Sequence, residues 1–307
     1  MDIELKVDEQ NSRLRVDTLL SKTFDIISRT QAVNLIKTGN ILVSGRIIKP
    51  GYKVNTGEII TGAFKDSSDN CLKAENIDLD IVFEDEFLII INKPPGLVVH
   101  PGAGNRSGTL VNALLYQCPE IKNADEDNFR PGIVHRLDKN TSGLIVVAKK
   151  NSSLKFLKNE FKQRRVVKKY YALVQGVIKD DVGKIILAIG RHPGKRTLMA
   201  SKSNKLRYAE TRWVVKERYK DATLVEALLK TGRTHQIRVH FYETGFPLIG
   251  EQVYQFRRFR KKKTSIPRHM LHSAYLMFRH PYSGRKLSFT APLPEDFKKV
   301  MEQLAKN

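Results

Sequence analysis

The chain has 307 residues, 41% of them hydrophobic, and carries 54 Lys and Arg against 32 Asp and Glu, a net charge of +22 at pH 7. It is long enough for one large folded unit and a small one, and its positive excess points to a polyanionic partner, nucleic acid before an anionic membrane surface. No stretch approaches the roughly 18 apolar residues of a membrane helix. No basic-then-apolar signal peptide follows Met1, and Cys71 and Cys118 offer neither metal-ligand spacing nor a disulfide framework, so a reduced, cytoplasmic protein is expected.

Residues 1–12 read as a polar tail, and a compact unit is drawn over residues 13–63. Asp17 is placed to cap a short helix carrying Leu19, Leu20 and Phe24. Ser28 opens a second helix, with Gln31 completing a capping box. Ala32, Val33, Leu35 and Ile36 form its apolar stripe, Gly39 stops it, and Arg29 and Lys37 are left on other faces. Ile41-Leu42-Val43, a turn at Ser44-Gly45-Arg46, and Ile47-Ile48 predict a hairpin. Residues 64–78 are polar and read as a linker before a second unit over 79–307. That unit opens with strands at Ile81-Val82-Phe83 and Leu88-Ile89-Ile90-Ile91.

The densest signal is His135-Arg136-Leu137-Asp138-Lys139-Asn140-Thr141-Ser142-Gly143, followed by Leu144-Ile145-Val146-Val147-Ala148-Lys149. The apolar run with β-branched residues predicts a strand buried on both faces, and a strand is also expected to arrive at Ile133-Val134. Asp138 then sits on a tight loop between strands, a common place for a reacting group. A structural Asp capping the turn satisfies the local chemistry equally well. Further on, Leu154, Leu157 and Phe161 recur at helical spacing behind Ser152 and Ser153. Tyr170 to Gln175 and Thr223 to Lys230 read as strands, and Thr234 is placed to cap a helix ending at Gly245. The predicted class is α+β: a small N-terminal unit, then a mixed, mainly antiparallel sheet flanked by helices.

These segments resemble the RluA family of pseudouridine synthases. His135-Arg136-Leu137-Asp138 with Thr141-Ser142-Gly143-Leu144 is similar to the family signature, and Asp138 falls on its catalytic aspartate. Asn92-Lys93-Pro94-Pro95-Gly96, Lys168-Lys169-Tyr170-Tyr171-Ala172-Leu173-Val174 and Thr231-Gly232-Arg233-Thr234-His235-Gln236-Ile237-Arg238-Val239-His240 resemble three further motifs in the same order. The resemblance runs from about residue 79 to 298. The N-terminal unit, with Gly39-Asn40-Ile41-Leu42-Val43-Ser44-Gly45 at its joint, resembles the S-four-type RNA-binding domain. Arg29, Lys37 and Arg46 are there the candidates to follow a phosphate backbone.

The resemblance implies an isomerase that detaches uracil from its ribose, turns it and rejoins it through carbon, with one ionised carboxylate and no metal or cofactor. It implies Asp138 as that group, Arg238 as the cation holding it ionised, and Tyr170 as the ring that stacks on the base. Ile237 would form pocket wall, and Arg136 would fill the gap left by the extracted base. Arg191-His192-Pro193-Gly194-Lys195-Arg196 and Val99-His100-Pro101-Gly102-Ala103-Gly104 resemble the members that modify a stem-loop of 23S ribosomal RNA, helix 69. Arg191, Lys195 and Arg196 are therefore candidate substrate contacts. Large-subunit ribosomal RNA, free or in a ribosomal particle, is the expected partner, and a monomer the expected state.

The rival readings are the same chemistry on other ribosomal or transfer RNA sites, and a noncatalytic RNA-binding assembly factor that needs none of Asp138, Tyr170 and Arg238. A metal site is disfavoured: His235 and His240 lie five apart, about 140° around a helix, and His269 and His272 have no carboxylate or cysteine beside them in sequence. Gly250-Glu251 and Tyr254-Gln255 stand where the family usually carries Gly-Asp and Tyr-Gly. Arg268-His269-Met270-Leu271-His272-Ser273 replaces the usual Arg-Gln-Ala-Leu-His-Ala. These departures are expected to touch substrate contacts and leave the reacting groups intact. The run Arg257-Arg258-Phe259-Arg260-Lys261-Lys262-Lys263 is a further expected RNA contact.

Overall fold

The computed structural model describes residues 2–24, 27, 29–63, 72–102, 105–124, 130–195, 198–203, 205–256 and 266–306. Ser28, Cys71, Arg196 and the run from Arg257 to Lys263 lie outside the described residues, as does most of the expected linker. The chain divides into two compact units, Met1–Cys71 and Leu72–Asn307. Among the described residues no helix is long and apolar enough to cross a membrane.

The first unit runs β1 (Asp2–Lys6), α1 (Val16–Thr23), α2 (Arg29–Lys37), β2 (Ile41–Val43), β3 (Arg46–Ile47) and β4 (Ile59–Ala63). Its sheet has the order β1-β4-β2-β3, all antiparallel. The polar tail expected over residues 1–12 is corrected here, because Asp2–Lys6 is an edge strand. Ile3, Leu5 and Val7 alternate with charged residues, and Ile3 and Val7 are buried against β4 and the helices. Such a half-buried period-two pattern is easily taken for a charged tail when it is this short. Gly39 ends α2 in the left-handed region at φ 74. The Gly39 and Asn40 amides donate back to Ile36 and Leu35, a Schellman closure. Ser44 and Gly45 both have positive φ, the geometry a two-residue hairpin needs. Asp17 does not cap α1. It lies within the first turn and binds Arg15 at 2.8 Å and Arg29 at 3.6 Å.

The second unit begins with β5 (Ile81–Glu84) and β6 (Leu88–Lys93), then α3 (Leu110–Gln117), a 3₁₀ helix (Pro119–Ala124), β7 (Ser142–Ala148) and α4 (Asn151–Lys162). There follow β8 (Val167–Gln175), β9 (Val182–Ile186), the short pair β10 (Gly190–Arg191) and β11 (Met199–Ala200), β12 (Glu210–Arg218) and β13 (Ala222–Leu229). The chain finishes with α5 (Gln236–Glu243), β14 (Leu271–Arg279), β15 (Lys286–Thr290) and α6 (Glu295–Ala305). Among the described residues these make a nine-stranded sheet, β5-β6-β7-β14-β8-β13-β12-β9, with β15 on β14. The pairing of β7 with β14 is parallel and the others are antiparallel, so the mixed, mainly antiparallel α+β class holds. The strand expected at Ile133-Val134 is only a single bridge, from Ile133 to Val147.

Every residue of β7 is buried. Ile145 and Val147 enter a core with α3 and α5, while Leu144 and Val146 enter another with Leu154 and Leu157 of α4. A strand sandwiched this way tolerates no polar face, which is why its sequence is apolar throughout. Gly143 sits at φ 105, and a Cβ there would stand 2.3 Å from the Ser273 carbonyl oxygen. Only glycine lets β7 leave the Asp138 loop and cross β14 so closely. Gly143→Ala is expected to cost about 2–4 kcal/mol, read as a lowered urea midpoint at unchanged slope.

Candidate active site

The loop that carries Asp138 is tied down carbonyl by carbonyl. Thr141 N–H donates to the Asp138 carbonyl at 3.0 Å. The Lys139 carbonyl accepts from Gly96 N–H at 2.9 Å and from Lys93 Nζ at 3.1 Å. The Asn140 carbonyl accepts from Arg268 at 3.1 Å, and the Thr141 hydroxyl bonds His269 Nε2 at 2.9 Å. Arg268 is itself fixed by a two-pronged pair with Asp296 at the start of α6. The motifs around Lys93 and around Arg268 and His269 thus act as clamps on one turn.

Lys93 is fully buried. Its ammonium also donates to the carbonyls of Pro94 at 2.7 Å and Leu97 at 2.9 Å. Three acceptors match its three N–H donors. Burial, and then nearby Arg268, pull its pKa down to about 7, with Asp138 opposing. Lys93→Met keeps the stem but leaves two of these carbonyls without the donor described here. It is expected to cost about 1–3 kcal/mol in urea unfolding and to lower turnover more than RNA affinity, since the Asp138 turn would loosen.

Asp138 faces a cavity of about 450 Å³ lined by Arg136, Leu137, Tyr170, His235, Ile237, Arg238 and Leu271, among others. Arg238, on α5, donates to Asp138 Oδ2 at 2.9 Å. Behind it Glu251 takes the Arg238 Nε and Nη2 protons, each at 2.8 Å, and Val253 N–H closes on the same carboxylate at 2.9 Å. The Glu251 side chain is 1% exposed and that of Arg238 7%, so this is a desolvated charge line, Glu251–Arg238–Asp138. Burial drives the Asp138 carboxyl up, but the charges of His235 and Arg238 outweigh it and hold it below its ordinary value. His235 titrates below its own ordinary value, chiefly because it is buried. Near pH 7 it is therefore neutral, and Arg238 is the standing cation.

α5 is placed by its own first turn. Gln236 accepts from the Thr231 hydroxyl at 2.7 Å and from Arg233 N–H at 3.0 Å, and donates to Glu210 O and Thr211 Oγ1 at 3.0 Å. Thr234 does not cap this helix. His235 precedes it in the left-handed region at φ 55, a conformation a non-glycine residue adopts only when its surroundings enforce it. His235 Nδ1 pairs with the Tyr254 hydroxyl at 2.7 Å, and His235 Nε2 stands 3.8 Å from Asp138 Oδ1. The Tyr254 hydroxyl also accepts from Met199 N–H at 2.9 Å, and its ring packs on the Arg238 guanidinium.

Tyr170 lies on the cavity side of β8, while Tyr171 points the other way into a core with Leu173, Met270 and Phe297. Burial pushes the Tyr170 phenol up to about 12, against a hydrogen bond with Ser273, so it stays neutral. The fold therefore brings Asp138, Tyr170, Arg238, Ile237 and Arg136 to one cavity, Arg136 with an exposed side chain at its rim. Arg191 and Lys195 are exposed on the β10–β11 hairpin. Arg29, Lys37 and Arg46 are exposed on the N-terminal unit.

Glu251, Tyr254, His235, Lys93 and His269 were not legible as site residues. Two of them, Glu251 and His269, stand where the family pattern is broken, and both lie beside the Asp138 loop rather than at its rim: Glu251 is bonded to Arg238 and His269 to Thr141, while Arg238 keeps its bond to Asp138. His235, His240, His269 and His272 are all hydrogen-bonded within the fold.

The pattern of the family described as RNA pseudouridylate synthase matches residues 87–243. The chain belongs to this family. An S4 domain matches residues 14–60. The uncharacterized RNA pseudouridine synthase YlyB of Bacillus subtilis (strain 168) is 40% identical over 305 residues, 99% of each chain. Ribosomal large subunit pseudouridine synthase D of Pseudomonas aeruginosa is 40% identical over 294 residues, 92% of this chain and 89% of that one. Among solved structures, human RNA pseudouridylate synthase domain containing 1 aligns with 80% of this chain and 98% of its own at a TM-score of 0.57 and 24% identity, a likeness of fold. The chain is thus an RNA pseudouridine synthase, an isomerase, with an N-terminal S4 RNA-binding domain.

Proposed function

We propose that this enzyme converts specific uridines of 23S ribosomal RNA, in the helix 69 stem-loop, to pseudouridine, with Asp138 as the reacting group. The observation that carries the assignment is the buried Glu251–Arg238–Asp138 line. It spends a fully desolvated Glu–Arg pair on keeping one carboxylate ionised at the wall of a cavity, which RNA binding alone does not require. The overall reaction breaks the bond from ribose C1′ to N1 of uracil, forms one from C1′ to C5, and moves the C5 hydrogen to solvent or nitrogen, with no net oxidation. An ionised Asp138 serves whether it adds to the uracil ring or takes a ribose proton. Tyr170 supplies a neutral ring to stack on the base, Ile237 an apolar wall, and Arg136 a side chain to occupy the vacated stack.

The ribosomal target is favoured by full-length relatives named ribosomal large subunit pseudouridine synthase D and by the exposed cations of the β10–β11 hairpin. The S4 domain, drawn over residues 13–63, would hold flanking RNA through Arg29, Lys37 and Arg46. The protein would act in the cytoplasm as a monomer on ribosomal RNA or a ribosomal particle. The test is to map pseudouridines in ribosomal and transfer RNA from cells with and without the protein. Loss confined to helix 69 supports the target. Loss elsewhere reassigns the substrate, and no loss, together with no conversion by the purified protein, returns the chain to a binding role.

A further inference from the structure

We propose that Lys168, with Arg164 and Arg233 beside it, forms a subsite for a backbone phosphodiester flanking the uridine that enters the cavity. The inference rests on the proposed function and deepens it. Lys168 lies on β8 two residues before Tyr170, so it shares the cavity side of that strand. Its neighbour Lys169 faces away and pairs with Glu226 at 3.2 Å. Lys168 has no such partner: among the described residues no carboxylate lies within 4 Å of its ammonium.

Its position is nonetheless built. The ammonium stands 5.3 Å over the Phe161 ring, and Phe161 stacks on His135 at 4.7 Å. His135 accepts Val146 N–H through Nε2 and is kept neutral by burial, so the column beneath Lys168 carries no negative charge. On the other side a Cβ added to Gly232 would stand 3.4 Å from Lys168 Nζ, so the glycine leaves just the room the ammonium uses.

Two more cations join it on the cavity lining. Arg164 lies over the Tyr208 ring at 5.8 Å, and Arg233 Nε donates to the Tyr208 carbonyl at 3.1 Å. Arg233 titrates low because it is partly buried and because Arg207 and Arg164 crowd it. Glu210, two residues after Tyr208, is engaged by the Tyr208 hydroxyl and by Arg212 at 2.8 Å. Among the described residues none of the three cations is in an ion pair, and Asp138, the carboxylate on the same cavity lining, is engaged by Arg238, so an incoming anion is what this side of the cavity can accept. A uridine turned into this cavity carries its two phosphodiesters with it on the ribose, at the cavity lip. Burial holds Lys168 down to about 8, and a phosphate beside it would relieve that.

The test uses the full chain and a stem-loop RNA carrying the mapped uridine. Copies of that RNA have a single uncharged methylphosphonate at one linkage on either side of the uridine. Lys168→Met keeps the stem that packs on Phe161, and Lys168→Arg keeps the charge. The expected results are an affinity about tenfold weaker for Lys168→Met, a salt slope lower by about one phosphate, turnover at saturation within about twofold, and rescue by Lys168→Arg. One methylphosphonate should weaken wild type about tenfold and add nothing further in Lys168→Met. If wild type converts the RNA but every methylphosphonate penalises both proteins equally and the salt slopes coincide, the subsite is overturned alone. If wild type converts no uridine in any RNA, the proposed function fails.

Discussion

Asp138→Asn is expected to reduce uridine conversion by at least about three orders of magnitude, with RNA affinity within about twofold and unfolding little changed. The substitution keeps the shape of the side chain and removes its charge and basicity. The fold gives a specific reason to expect stability. Arg238 keeps both hydrogen bonds to Glu251 when Asp138 is neutralised, and the turn is held by main-chain carbonyls and Thr141, none of which uses the Asp138 carboxylate. Single-turnover conversion of a stem-loop RNA by the purified variant is the measurement. A rate near that of wild type would remove Asp138 from the reaction.

The parts of the site legible in the sequence were those whose chemistry is written in consecutive residues. The run from Leu144 to Ala148 is buried on both faces because it crosses the middle of a sheet packed on two sides, and its apolar composition says so directly. The pairing of Arg238 with Asp138 spans 100 residues, yet it was expected because each member sits in a recognisable motif. Glu251 was out of reach for the opposite reason. It stands in a turn after Gly250, whose φ of 72 and close approach to the Arg268 carbonyl fix where it points. Nothing in local sequence links that turn to α5. Lys93 sits in a motif that carries the resemblance, but nothing in its local sequence marks it as buried. Its burial follows from carbonyls that converge only after the chain folds. The strand over Asp2–Lys6 was lost because five residues with charges on one face carry too little periodicity to outvote a charged N-terminus.

Arg238→Met is expected to produce the second large effect, a fall in turnover of well over tenfold, more than about 1.4 kcal/mol of transition-state stabilisation. Burial alone pushes the Asp138 carboxyl up, and Arg238 is the cation that remains charged near neutral pH. Its removal therefore raises the Asp138 pKa, so that less of it is ionised at a given pH, and the acid limb of turnover moves to higher pH. In the wild-type fold Asp138 and Glu251 both titrate below their ordinary values. The stability they contribute is complete above the usual carboxylate range near pH 4 and is lost as pH falls through their depressed values. Arg238→Met also strands Glu251, whose side chain is 1% exposed, and breaking a buried pair from one side costs about 3–5 kcal/mol. That loss of stability could imitate a catalytic effect, so the decisive protein is the double variant Arg238→Met with Glu251→Gln. Neutralising Glu251 should restore most of the stability, because no uncompensated buried charge remains on that side of the site. It should not restore turnover or return the acid limb to its wild-type position, because Asp138 still lacks its cation. Recovery of both in the double variant would show that Arg238 serves only to neutralise Glu251, and the charge line would then end one residue short of Asp138.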